Sequence, residues 1–300
     1  MDVAISGASG FLGSALTSSL RADGHRVLRL VRGGITTGDE IGWDPDAGRI
    51  DAPALEGVDA VVHLAGEGIG ERRWSADQKR RILDSRAKGT AVVAAAVASR
   101  ERKPKVLVSA SAIGYYGSRG DEVLTEDSAP GDDFLANVCK TWERETHPAL
   151  DAGVRVVNLR TGIVLARHGG ALQRMLLPFR LGLGGKQGSG RQWMSWIALA
   201  DHVQAMRAAI EDERLTGPVD LTAPNPVTNA DFATALGRVL KRPTVLPTPM
   251  FALKLRYGDE LVDSLLLASQ RVLPSRLEAV NFPFEYPVLA PALEAILQEG

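Results

Sequence analysis

The stretch Asp2-Val3-Ala4-Ile5-Ser6-Gly7-Ala8-Ser9-Gly10-Phe11-Leu12-Gly13 decides the fold, because an apolar run breaks there into three glycines at regular spacing. It reads as a strand, a tight turn and a helix, since Ser14-Ala15-Leu16-Thr17-Ser18-Ser19-Leu20 continues it with helical periodicity. Each glycine then has its own task. Gly7 lets the backbone leave the strand at positive φ, Gly10 lets the helix N-terminus approach a pyrophosphate, and Gly13 lets that helix sit close on the strand. A helix start with free N–H groups attracts anions. A surface turn can carry the same three glycines, so the reading depends on the strands and helices after them.

Gly24 closes the helix, and Arg26-Val27-Leu28-Arg29-Leu30-Val31 reads as a second strand that ends at Arg32. A dinucleotide fold selecting NAD places Asp or Glu there for the ribose 2′-hydroxyl, whereas an arginine accommodates the 2′-phosphate of NADP. Arg32 therefore points to NADP, unless it is simply a solvated strand end. Ile41-Gly42-Trp43-Asp44 reads as a short strand edging the adenine pocket. Asp59-Ala60-Val61-Val62-His63-Leu64-Ala65-Gly66 is the near-continuous apolar run of a parallel strand buried on both faces. Ligands sit at the carboxyl ends of such strands, which makes Leu64, Ala65, Gly66 and Glu67 cofactor-facing candidates. His63, inside the run, reads as a hydrogen-bonded core histidine.

Ser75-Ala76-Asp77-Gln78 has the spacing of a capping box and launches a long helix through the alanine-rich 91–98 stretch. Its basic residues read as a solvated face, except Arg86, which the helix would aim at the cofactor phosphates. Pro104 to Gly117 forms a buried strand ending in Ser109 and Ser111, followed by a loop with Tyr115 and Tyr116, where a carbonyl or carbinol would meet nicotinamide. A helix starting at Asp133 or nearby carries Ala136, Cys139, Lys140, Trp142 and Glu143, and Val154 to Leu159 resumes the sheet. Cys139 reads as a buried small hydrophobe.

Beyond Ala166 the regular alternation fades. Leu181 to Gln192 is a glycine-rich loop, Trp193 to Ile197 is extended, Asp201 and Asn229 read as helix caps, and helical patterns fall at 251–257, 261–268 and 289–297. Residues 1–165 are thus expected to form the nucleotide-binding domain. Residues 166–300 form a smaller α+β region facing the substrate, with the helix near 201–211 packing back and 246–300 as a separate small segment. Arg180, Lys186 and Arg191 in this region would suit an anionic substrate, or merely solvate the loop.

Composition narrows the function classes. Lys and Arg number 35 against 36 Asp and Glu, so no global field draws the chain to nucleic acid or an anionic membrane. With 45% hydrophobic residues and no apolar run near the roughly 20 needed to span a bilayer, a cytoplasmic globular protein is expected. A single cysteine excludes an internal disulfide. His25, His63, His147, His168 and His202 show no metal-ligand spacing, so no metal is expected.

The glycine spacing, the strand from Asp59 to Gly66, the Ser109-Ala110-Ser111 strand end and Ser195-Trp196-Ile197 together resemble the extended short-chain dehydrogenase/reductase superfamily, of the NAD(P)-dependent epimerase/dehydratase type. Trp43-Asp44, Ala65-Gly66-Glu67, Arg73-Trp74, Ser85-Arg86, Trp142-Glu143, Gly188-Ser189-Gly190 and Gln270-Arg271-Val272-Leu273-Pro274 narrow this to the epimerase family subgroup described as sugar-nucleotide epimerases, with a small C-terminal domain of unassigned role. The resemblance implies a Rossmann-type doubly wound α/β fold. It implies NADP(H) held by Gly7, Ser9, Gly10, Phe11, Leu12, Arg32, Leu64, Ala65, Gly66, Glu67, Arg86, Ser109, Lys140 and Ile163, and a small-molecule substrate, a nucleotide sugar by the subgroup's name.

One departure outweighs the matches. The superfamily's catalysts use a serine or threonine with Tyr-x-x-x-Lys on one helix, the tyrosine acting as acid or base. Ser111 matches the serine and Lys140 the lysine, but the tyrosine position is Ala136. Tyr115 is the candidate replacement, and Tyr116 a candidate substrate contact. Two functions remain open: an NADP-dependent oxidoreductase or epimerase acting on a carbonyl or carbinol, and a non-catalytic NADP(H)-binding or redox-sensing protein.

Overall fold

The opening stretch forms β1 (Asp2–Ser6) and α1 (Phe11–Ala22), and β2 (Arg26–Val31) returns parallel to β1 with Ser6 opposite Leu30. The structure, a computed structural model, describes residues 1–35 and 37–298. β3 (Glu40–Asp44) joins β2 in parallel, and β4 (Arg49–Ile50) closes that edge antiparallel. On the other side of β1 lies β5 (Ala60–His63), followed by α2 (Ala76–Ala98), β6 (Val106–Ala112) and β7 (Val123–Leu124). Then come α3 (Phe134–Arg144), α4 (His147–Asp151), β8 (Arg155–Thr161), β9 (Ile163–Leu165) and α5 (Gly170–Arg180). β10 (Trp193–Met194), β11 (Trp196–Ala198), α6 (Leu199–Glu211), β12 (Gly217–Leu221), β13 (Val227–Thr228) and α7 (Asn229–Leu240) follow. The chain closes with α8 (Met250–Tyr257), α9 (Asp259–Leu265), β14 (Arg271–Val272), α10 (Ser275–Ala279) and α11 (Leu289–Gln298).

Eight strands form one sheet in the order β12-β8-β6-β5-β1-β2-β3-β4. The chain winds outward in one direction from β1 through β3 and in the other from β5 through β12, so the fold is a doubly wound α/β sheet. Its strand order reverses between β1 and β5, where such sheets open a crevice at their carboxyl ends. Alternate residues feed the two faces. Val3, Ile5, Val62, Val108 and Leu159 pack with α1 and α6, while Ala4, Val61, Leu107 and Val156 pack with α2 and α4.

The second half contributes to both the sheet and a separate core. Val203, Met206 and Ile210 of α6 belong to the first face's core, and β12 pairs with β8. Leu172, Phe179, Trp196, Phe232, Leu236 and Leu293 form a further apolar cluster that gathers α5, α7 and α11.

The expected cap holds at Ser75, which accepts the Gln78 N–H, and the helix expected to start near Asp133 is capped by that residue, which accepts the Ala136 N–H. Two others are corrected. Asp201 lies inside the first turn of α6, and its carboxylate accepts the N–H groups of Glu285 (2.8 Å) and Tyr286 (2.9 Å). Thr228, not Asn229, caps α7, while Asn229 turns inward to accept the Gln187 N–H and donate to the Met194 sulfur. In both cases a polar side chain that suits a cap is recruited by a distant backbone segment, which sequence spacing does not register.

Candidate functional site

The glycine turn is built as its spacing requires. Gly7 has φ +70°, and a Cβ there would sit 2.9 Å from the Ala65 nitrogen, so β1 and the strand end after β5 meet across a bare backbone. Gly13 packs closer still. A Cβ on it would lie 2.1 Å from the Gly7 carbonyl oxygen. No side chain caps α1 at Gly10, and Ser9 and Gly10 are exposed, leaving the positive end of a twelve-residue helix open at the sheet's carboxyl edge. Arg32 is exposed just past the end of β2, beside that opening. The ring of Phe11 rests against Gly169 and Gly170 and ties the helix start to α5.

Across the switch point, Ser6 holds the turn from beneath. Its hydroxyl accepts the N–H groups of Leu64 (3.2 Å) and Ala65 (3.3 Å) and meets His63 Nδ1 at 2.6 Å. His63 is fully buried and edge-on to Trp43, so it is the core histidine expected. Burial first, and the Arg86 charge second, lower its pKa to about 4, and burial lowers that of His202 to about 3. Both are therefore held neutral in the native state. A folded pKa below the unfolded value stabilises the protein above about pH 6.5 and is lost as pH falls, a difference worth about 3 kcal/mol for His63 alone. We expect both imidazole resonances to stay untitrated down to pH 5 while urea stability declines below pH 6.5. Titration of either ring near pH 6.5 would contradict its buried neutral state.

Arg86 lies next to the loop after β5, but its guanidinium is turned inward. It donates to the carbonyls of Glu67 (3.0 Å) and Ile82 (3.2 Å) and lies 4.8 Å from the Trp142 ring centre. It thus braces the Gly66-Glu67 loop. Glu67 is fixed further, its N–H donating to Ser85 and its carboxylate accepting from Gln78. Ile163 follows the end of β8 and donates its N–H to the Ser195 carbonyl.

The catalytic candidates are distributed unevenly. Ser109 is fully buried within β6. Ser111 is only 4% exposed, and its hydroxyl donates to Glu143 Oε1 at 2.7 Å. Glu143 is gripped by Arg160 through two hydrogen bonds of 2.8 and 2.9 Å. Arg160 reaches on to the Tyr116 hydroxyl (3.0 Å), which donates to Asp220. Tyr116 is fully buried, which corrects its expected role as a substrate contact. Burial and the neighbouring Asp220 raise its phenol well above the ordinary range. Tyr115 stays partly exposed, its ring stacked on the Arg160 guanidinium at 3.4 Å. Lys140 is half-buried with Nζ 3.4 Å from the Gly131 carbonyl, and Ala136, one turn earlier, is completely buried. Cys139 is no thiolate, because burial, then Glu143, pushes its thiol up to about 12.

Sequence reading missed the Glu143–Arg160 pair. The signal was Arg160, set right after the buried Val156, Val157 and Leu159 of β8, where a charged side chain must find a partner. It also missed why Gln270 stands in its motif. Gln270 Nε2 donates to the carbonyls of Ile113 (2.9 Å) and Gly117 (3.2 Å), and β14 pairs with β7. The C-terminal segment thereby fixes the loop carrying both tyrosines. Arg180, Lys186 and Arg191 are all exposed, the first at the end of α5 and the other two in the loop before β10. Among the described residues no group of His, Cys, Asp and Glu is placed to hold a metal, and no helix is long and apolar enough to cross a membrane.

This arrangement of open glycine turn, switch point and serine-ended β6 coincides with a known family pattern, which matches residues 3–220 as the NAD dependent epimerase/dehydratase family. The chain belongs to that family. A second pattern, a domain of unknown function named DUF1731, covers residues 248–296. This epimerase family member is 48% identical over 291 residues to an epimerase family protein of Mycobacterium bovis, covering 97% of this chain and 96% of that one. It is 35% identical to the human epimerase family protein SDR39U1 (isoform 2), crystallised with NADPH, with TM-score 0.91 and full coverage of both chains. It is also 39% identical to a nucleoside-diphosphate sugar epimerase structure from Corynebacterium glutamicum, with TM-score 0.82, over 99% of this chain and 58% of that one.

Proposed function

We propose that this epimerase family member binds NADP(H) across the carboxyl edge of its sheet and acts as an oxidoreductase on a carbonyl or carbinol substrate. The observation that carries this reading is the uncapped, glycine-packed start of α1 beside Arg32. The NADPH in the human relative's crystal structure supports it. The residues present fit the cofactor: the bare Gly7 and Gly10 backbone receives the pyrophosphate, Arg32 the 2′-phosphate, and Leu64 to Glu67 line the crevice. When bound, the cofactor supplies hydride transfer, and the protein supplies orientation and proton transfer. With Ala136 in place of the usual tyrosine, Tyr115 is the proton-handling residue in this reading, oriented by Arg160 under its ring, with Lys140 donating to the carbonyl of Gly131, whose N–H in turn donates to the Tyr115 carbonyl.

Two results are expected. Arg32→Ala weakens NADPH binding by about 1.5 to 3 kcal/mol, the scale of a lost charge-assisted hydrogen bond, and leaves NADH binding nearly unchanged. Equal wild-type affinity for the two nucleotides would remove the argument for NADP. With an aldehyde, ketone and nucleotide-sugar panel, Tyr115→Phe is expected to lower turnover about 100-fold, within the range for a lost general acid, while NADPH affinity holds.

A second reading keeps the nucleotide but not the chemistry. It is favoured by the Ser111 hydroxyl being committed to Glu143, which leaves no serine proton for a substrate oxygen. Tight NADPH binding with no turnover across the panel supports this non-catalytic sensor.

A further inference from the structure

Two segments of the chain carry no carboxylate at all. Residues 152–200 contain seven Lys and Arg and no Asp or Glu, and residues 232–258 contain five and none, in a chain whose net charge is −1. The fold laces these segments together. Arg242 Nε donates to the Arg180 carbonyl (2.8 Å), Thr248 donates its N–H to the Lys186 carbonyl and its hydroxyl to that of Gly185 (both 2.9 Å), and the Leu246 carbonyl fills the space a Gly185 side chain would need.

Apolar side chains are exposed in the same two laced segments. Among the described residues twelve large hydrophobics are exposed, and seven of these fall in residues 177–183 and 245–255, including Leu177, Leu181, Val245, Leu246, Phe251 and Leu255, which are 59–86% exposed. Helix α8 buries none of its residues. Exposed apolar surface concentrated in this way marks an interaction site. Beside it, Arg167, His168, Gln173, Leu177 and Arg180 line an open cavity of about 220 Å³ on the flank of α5. That volume lies below the range typical for drug-sized ligands, so it admits a small head group rather than a whole nucleotide sugar.

We propose that this face is a binding site for a small anionic amphiphile. Its single phosphate or carboxylate head enters the Arg167/His168/Arg180 cavity, and its apolar chain lies over Leu177, Leu181 and α8. Charge complementarity selects the head: Lys254 is answered by Asp259 and Asp263, but Arg180 has no carboxylate partner among the described residues. Apolar area selects the tail. This face meets the cofactor turn where α5 begins, with Gly169 and Gly170 against the Phe11 ring.

Dodecyl phosphate below its micellar concentration tests this by calorimetry on the full chain, with inorganic phosphate, dodecyl maltoside, UDP-glucose and phosphatidylglycerol vesicles as comparisons. The expected result is that dodecyl phosphate binds at least tenfold more tightly than inorganic phosphate, dodecyl maltoside or UDP-glucose. Arg180→Glu and the double variant Phe251→Ser/Leu255→Ser each weaken it at least tenfold. NADPH affinity and thermal stability of the double variant stay at the wild-type level, which separates this site from the proposed cofactor site. The proposal is overturned if the variants bind dodecyl phosphate as wild type does. It is also overturned if only vesicles bind, which indicates a membrane surface, or if the double variant abolishes a dimer seen by sedimentation, which indicates a second copy.

Discussion

Gly13→Ala is expected to destabilise the protein by more than about 3 kcal/mol or prevent its folding, although it adds one methyl group to a helix that alanine normally favours. The added Cβ would lie 2.1 Å from the Gly7 oxygen and 2.8 Å from its carbonyl carbon, both backbone atoms of the turn. Overpacking against side chains costs about 1 to 3 kcal/mol because rotamers yield. Here nothing yields without moving β1 or the helix, and the helix start is where the pyrophosphate is proposed to sit. Gly24→Ala is the internal comparison. Gly24 has φ +77° but no atom within 4 Å of its virtual Cβ, so only backbone strain of roughly 1 to 2 kcal/mol applies. Urea unfolding of the two variants measures the difference, and equal losses would show that the close approach at Gly13 is not what makes that position glycine.

Arg160→Met should cost about 3 to 5 kcal/mol, the scale for breaking a buried ion pair from one side. Arg160 is 3% exposed and Glu143 13%, and together they join α3, β8 and the Tyr116–Asp220 pair. Burial alone would lower the Arg160 pKa, but the hydrogen bonds and charge of Glu143 outweigh it and hold the guanidinium firmly charged. The Asp220 carboxyl is also raised, chiefly by burial and then by Glu126, well above the usual carboxylate range, which in its case favours the neutral form. Losing Arg160 leaves Glu143 with the Ser111 hydroxyl alone as a side-chain partner among the described residues and removes the cation beneath Tyr115. Arg160→Met/Glu143→Gln should recover part of the loss, because neither charge is then left alone. A single variant costing under 1 kcal/mol would mean that water reaches the pair and solvates the orphan.

The order of elements in the first half was legible because buried parallel strands are continuous apolar runs and their helices carry capping signals. β1, β2, β5, β6 and β8 fall where the runs are, and α2 starts at its capping box. The glycine turn was legible for a steric reason: three positions that exclude a Cβ leave a pattern no other residue satisfies. Local signals weakened where partners lie far apart in the chain. Asp201 and Asn229 have the chemistry of caps but serve Glu285, Tyr286 and Gln187. Tyr116 looks like a pocket residue beside glycine, yet its hydroxyl is buried against Asp220, 104 positions away.

By itself, then, the sequence determined the nucleotide-shaped turn at Gly7 to Gly13, the buried strands of the first half, the arginine at Arg32 and the missing tyrosine at Ala136, since each depends on residue type at short spacing, and its family resemblance implied the doubly wound sheet. Only the tertiary structure decided that Ser111 is committed to Glu143, that Arg86 braces a loop, and that the 269–276 segment fixes the Tyr115 loop. Those outcomes turn on which buried polar group finds which partner. That pairing is set by desolvation among groups brought together from distant parts of the chain, and no local pattern encodes it.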